Sequence, residues 1–229
     1  MGICDGPLER NNISISIQEE FSIQEAINFL INGALFPINE LDSRHHYIYD
    51  KKSQQKLIGP PLYPRYFIQP NGWTAIALNV SKKYDFGDDK WLGNSNLNGE
   101  WYIGYHGIKE MNAIKNIYFK GFRRGPNQEF KEYANINPLT NKTYPKCGEG
   151  AYFAQDINDA LYFTSPIEYS GNNYRVVFMA RLNPEKVRIA NTNRLNQDYM
   201  IVNGDLLSDN YGAPKIDEVR PYKILLKKE

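Results

Sequence analysis

Apolar residues recur along this chain at two spacings, and the switch between them marks out its elements. Ile23, Ala26, Ile27, Leu30 and Ile31 fall at i, i+3, i+4, i+7 and i+8, one stripe of a 3.6-residue helix. Ser22 and Glu25 frame its start as a capping box, each side chain serving a backbone N–H that a first turn leaves free, and Gly33 ends it. Such a stripe has to be covered, by docking on the main body in preference to binding a partner. Met111, Ile114, Ile117 and Tyr118 predict a second helix that stops at Gly121, and a third, short one spans residues 156–163. Alternating or unbroken apolar runs rich in aromatic and β-branched residues predict strands at 73–80, 101–105, 151–154, 174–181, 187–190, 199–202 and 219–226. Many short strands with few helices predict an α+β domain of packed antiparallel sheets.

The breaker cluster Gly59-Pro60-Pro61-Leu62-Tyr63-Pro64 divides a helical amino-terminal segment, residues 1–58, from a main domain, residues 59–229. A turn-rich connection at 84–99 surrounds Trp91-Leu92, and a long polar loop at 122–147 follows the second helix. A loop of that length is expected to be functional rather than a plain connector.

Composition narrows the function classes. Of 229 residues, 41% are hydrophobic and 23% charged, the balance of a chain with a packed core. The net charge of +1 supplies no whole-molecule field for nucleic acid or an anionic membrane. Two cysteines, Cys4 and Cys147, make neither a disulfide framework nor a Cys-x-x-Cys metal pair. His45-His46 stands near Asp42 and Asp50, but adjacent side chains diverge and a third ligand is missing, so it reads as a solvated pair and no metal is expected. The polar amino terminus lacks an apolar core, and no apolar run approaches the ~20 residues of a membrane span. A cytoplasmic protein is the expectation. Met1-Gly2-Ile3-Cys4 resembles the start of an acylation signal, but Gly6 occupies the place where Ser or Thr is required.

The chemistry concentrates between residues 99 and 165. Tyr105-His106-Gly107 closes a strand, a helix follows to Gly121-Phe122, and Gly148-Glu149-Gly150-Ala151-Tyr152-Phe153 opens the next strand after the long loop. This ordered set resembles the poly(ADP-ribose)-polymerase-like ADP-ribosyltransferases over roughly residues 60–228. Uncharacterised protist and fungal members of that superfamily also share Trp91-Leu92-Gly93 and the ending Arg220-Pro221-Tyr222-Lys223-Ile224-Leu225. The resemblance implies a split antiparallel β-sandwich with a few short helices. It also implies NAD as substrate, no metal, and a protein acceptor rather than a nucleic acid. By the same resemblance His106 binds a ribose 2′-hydroxyl, the backbone of Gly107 holds the nicotinamide carboxamide, and Tyr152 lines the nicotinamide pocket beside Phe153. Phe163, eleven residues beyond Tyr152, matches the aromatic that stacks on the nicotinamide ring. Asp198, before Tyr199-Met200-Ile201-Val202, matches the family's catalytic Glu, and its shorter side chain implies transfer of single units. Glu218 is the rival carboxylate.

Two positions depart from the family. Ile108 replaces a hydroxyl residue that contacts the adenosine-side ribose, and Ala160 replaces a Ser that helps bind the carboxamide. Arg123 and Arg124 are candidates to offset the loss by holding the pyrophosphate. Three other readings stay open: an NAD glycohydrolase, a catalytically weak module that binds NAD or ADP-ribose, and a tRNA 2′-phosphotransferase. The last needs two His and two Arg in its site, which His45, His46 and His106 supply poorly.

Overall fold

A computed structural model of the protein describes residues 22–50, 56–123, 131–132, 148–192, 197–202 and 217–229. In chain order its strands are β1 (Tyr47–Ile48), β2 (Lys56–Ile58), β3 (Arg65–Phe67), β4 (Thr74–Ala77), β5 (Tyr102–Ile108), β6 (Ala151–Ala154), β7 (Ile167–Tyr169), β8 (Asn172–Leu182), β9 (Arg188–Thr192), β10 (Gln197–Val202) and β11 (Val219–Lys228). The helices are α1 (Ile23–Asn28), α2 (Met111–Lys120) and α3 (Ile157–Leu161). The protein is α+β, and every strand pair among the described residues is antiparallel.

One sheet runs in the order β1-β4-β11-β8-β5-β6-β10-β9, and β2 pairs with β3 apart from it. β8 is its spine. Residues 176–182 of β8 pair with β5, whereas residues 172–174 pair with β7, so that edge of the spine serves two strands. β11 lies along the other edge, its register shifted between Pro221 and Lys223. Both spine strands are apolar through their middles: Val176 to Ala180 and Ile224 to Leu226 are all buried. That is the pattern of strands covered on both faces.

The amino-terminal segment joins this core. The Ser22–Glu25 capping box forms, but the helix then widens into a π-type turn in which Ala34 N–H reaches the Phe29 carbonyl. The turn carries Phe29 against Tyr169 and Tyr174, with ring centroids at 5.6 and 4.8 Å. β1 adds a strand to β4. Glu40 ties the segment to α2: it accepts from Tyr118 Oη and, at 3.2 Å, from Lys83 Nζ. Residues 22–50 and the main domain therefore share one core cluster.

Of the histidine pair, His45 is solvated as expected and His46 is not. His45 Nδ1 lies 2.8 Å from Asp42 Oδ2, and His46 Nδ1 accepts the Ala77 N–H at 3.1 Å. The cause is β4, which leaves an amide unpaired beyond the short β1 and takes an imidazole in place of a strand partner. Strand ends shift as well: β5 continues to Ile108 through Gly107, because β8 pairs with it along its whole length.

Arg220 fastens the 84–101 connection to the sheet. Its guanidinium forms a bidentate pair with Asp85 at 2.6 and 2.8 Å. It lies 4.7, 4.8 and 4.2 Å from the ring centroids of Tyr84, Trp91 and Trp101. A planar cation meets both needs at once, which a lysine ammonium would not.

Candidate functional site

Strand alternation decides how the candidate residues are distributed. Tyr105 pairs with Ala154 of β6 and Met179 of β8, while His106 pairs with Phe178 and Gly107 with Val177. Successive side chains point to opposite faces of a strand. His106 therefore shares a face with Phe153, whose ring is 5.3 Å away, while Gly107 shares the other face with Tyr152.

On the first face, His106 is enclosed by Phe122 and Phe153. Its Nδ1 lies 2.9 Å from the Tyr152 carbonyl oxygen. A carbonyl only accepts, so Nδ1 carries the proton and Nε2 is the ring atom left for a ligand. Burial pushes the imidazole pKa below its ordinary value, against a smaller upward pull from the Tyr152 carbonyl, so the ring is held neutral. Beside it a cavity of about 330 Å³ opens against α2, lined among others by Asn112, Asn116, Lys120 and Arg123. The helix that forms its wall stops where expected, at Gly121 with φ 80°, a left-handed conformation that glycine adopts at little cost.

On the second face, α3 presses its carboxyl-terminal end onto Gly107. A Cβ on Gly107 would sit 2.5 Å from the Ala160 carbonyl oxygen and 2.9 Å from the Phe163 carbonyl carbon. No other residue leaves room for that approach. Asp156 caps α3 by accepting from Asn158 N–H at 2.9 Å, and Ile157 and Ala160 are its buried face. Gly107 thus meets the backbone of Ala160 and Phe163, and Tyr152 shares its face of the sheet, whereas the His106 ring lies on the opposite face and reaches Tyr152 only through the backbone carbonyl.

The Gly148–Gly150 turn is held to this cluster. Tyr152 Oη donates to the Gly148 carbonyl, and Gly148 N–H donates to Lys131 at 2.8 Å. Arg188, a residue that motif reading passed over, reaches the same turn: its Nη2 donates to the Glu149 carbonyl at 2.6 Å. Register explains it, since Arg188 pairs with Ile201 and Ile201 with Tyr152. Only the single alternation of Val187 to Ala190 hints at this in the sequence.

Asp198 has a described backbone only. It pairs with Asn191, one residue before Tyr199, which faces Ala154. Arg124 lies outside the described residues, as does most of the long 122–147 loop. Glu218 is buried just before β11, whose Val219 pairs with Leu182, itself opposite Tyr102. It therefore stands near the start of β5, and His106 is four residues further along, about 13 Å at a strand's rise per residue.

Among the described residues no helix is long and apolar enough to cross a membrane, and no three His, Cys, Asp or Glu side chains are grouped to hold a metal ion. No family model matches the chain, and no curated protein matches its sequence.

Proposed function

We propose that the protein is an NAD-dependent mono-ADP-ribosyltransferase acting in the cytoplasm on a protein acceptor, built on a split antiparallel β-sandwich of the ADP-ribosyltransferase kind. One observation carries the reading: Gly107 of β5 packs against the backbone of Ala160 and Phe163, and His106 beside it bonds to the Tyr152 carbonyl of β6, so residues distant in the chain meet.

In this reading the Gly107 backbone holds the nicotinamide amide, and Tyr152 and Phe163 flank the ring. Neutral His106 accepts a ribose hydroxyl at Nε2, and Arg123, beside His106 on the cavity wall, meets the pyrophosphate. The glycosidic bond breaks heterolytically. Nicotinamide leaves with the bonding pair, and the ribosyl carbon, with Asp198 stabilising its developing positive charge, bonds to an acceptor nucleophile that gives up its proton.

Ile108 favours a second reading. It is buried in the core at 1% exposure, so its position offers no hydroxyl to the adenosine-side ribose, and Ala160 offers none to the carboxamide. A module that binds NAD or ADP-ribose without turnover fits these losses. Incubation with NAD labelled on its adenylate separates the readings. Label on protein supports transfer, free ADP-ribose indicates a glycohydrolase, and tight binding with no cleavage assigns the module. Absence of all three overturns the NAD reading.

A further inference from the structure

A second and larger cavity, of about 710 Å³, lies between the sheet and the segment from Asp42 to Tyr49. Its floor is one face of three strands: Ile103 pairs with Arg181, and Met179 with Lys223. His106 is on the opposite face. Gly107 shares the face but pairs with Val177, four residues along β8 from Arg181, about 13 Å away at a strand's rise per residue. This cavity is thus a different place from the candidate site.

Its charge is unbalanced. Arg44, Lys56, Arg181 and Lys223 line it against one carboxylate, Asp42, which is already bonded to Arg44 and His45. Arg181 is 3% exposed. It donates to the Trp101 carbonyl at 2.8 Å and the Leu92 carbonyl at 2.6 Å, and its Nε is buried without a partner among the described residues. Its guanidinium also lies 5.2 Å from the Tyr222 ring centroid, and Glu100, whose oxygens accept the Ser95 and Asn96 amides, acts on it through space. Among the described residues Lys223 Nζ reaches no acid, and its one hydrogen-bond partner is Tyr49 Oη at 3.4 Å. Burial and the Arg181 charge both push its pKa down. A buried cation is ordinarily paired, and Arg181 sharing a wall with the half-buried Lys223, neither with an acid in contact among the described residues, suits an incoming anion. The remaining walls are apolar and aromatic, and the volume falls within the range of small-molecule pockets.

We propose that this cavity binds a small organic anion, its phosphate or carboxylate head held between Arg181 and Lys223 and its apolar or aromatic body lying on Met179, Ile103 and Phe67. The proposal does not rest on NAD chemistry. The test titrates the full chain with phenyl phosphate, benzoate and inorganic phosphate while following the Met179 methyl and Tyr49 ring signals by NMR. Expected is a saturable shift with phenyl phosphate or benzoate, the tighter of the two identifying the head group, and weaker binding of inorganic phosphate. Lys223→Met, which keeps the packing of the stem and removes the charge, should weaken binding at least about tenfold. Failure of both signals to shift at about 10 mM, where a Kd of about 1 mM would be saturated, overturns the proposal. So does unchanged affinity in Lys223→Met, inorganic phosphate binding as tightly as phenyl phosphate, or a shift confined to His106 and Tyr152. A crystal soaked with bromobenzoate locates the ligand without any variant. Bromine density beside Met179 supports the site, and density elsewhere or none rejects it.

Discussion

At the scale of single residues, His106 shows how burial and chemistry are coupled. The fold holds its imidazole neutral, so its folded pKa lies below the ordinary 6.5. A depressed histidine contributes stability that is complete above the unfolded pKa and is lost as pH falls through the folded one. His106→Gln should therefore flatten the decline in melting temperature below about pH 6.5 relative to wild type. Equal slopes for the two proteins would show that the ring titrates freely. The same residue scale separates the two carboxylates. If the proposed transfer from NAD holds, Asp198→Asn should lower turnover at least about tenfold, about 1.4 kcal/mol in the barrier, and Glu218→Gln should leave the rate within about twofold of wild type. The reverse ranking would move the third catalytic position to the head of β11.

Between elements, the decisive contacts are a few polar ties laid over the apolar core. The Tyr118 hydroxyl is the largest influence holding the Glu40 carboxyl below its usual range, ahead of Lys83. It joins the amino-terminal segment to α2 where both are otherwise apolar, Phe36 lying 5.0 Å from the Tyr118 ring. Tyr118→Phe should keep that ring contact and cost about 1.5–3 kcal/mol, the worth of a hydrogen bond to a charged group. Carboxyl NMR titration should at the same time show the Glu40 pKa rising. A variant with unchanged stability and an unmoved Glu40 would mean that the apolar contacts alone dock the segment.

For the molecule as a whole, acid sensitivity should report the anchor at Asp42. Arg44 first, then His45 and the Arg44 amide, hold its carboxyl well below the carboxylate range, against the opposing effect of burial. A depressed acid contributes stability that is present above its unfolded pKa, near 3.8, and lost as pH falls through the folded value. Asp42→Asn should thus destabilise at neutral pH and converge on wild type in strong acid. Both partners are largely in water, Arg44 at 73% exposure and His45 at 64%, so the loss should be about 1 kcal/mol. Denaturant curves at pH 7 and pH 2.5 measure it: the gap should narrow between the two, and a gap of unchanged size would assign the effect to packing.

Local sequence determined more of the fold than its spacing alone suggests. The helix starts at Ser22 and Asp156 and the stop at Gly121 follow from side-chain caps and a left-handed glycine, interactions complete within one turn. The middles of β6, β8, β10 and β11 were legible because an apolar run has one dry destination. The sequence offered His106, Gly107, Tyr152 and Phe163 as an ordered set of motifs, and the approach of Gly107 to Ala160 and Phe163 is the part of it that the fold brings together. Tertiary structure alone decided the rest. β1, β2, β3 and β7 have two or three residues each, too few for any periodicity, and exist because a neighbour offers a strand edge. His46 became an acceptor for an amide 31 positions away, and Arg188 reached the Gly148–Gly150 turn only through the register of β9, β10 and β6. The cavity of Arg181 and Lys223 is the furthest from local reading. Arg181 and Lys223 come from strands that pair across some forty positions of chain, and only folding brings the two cations to one wall.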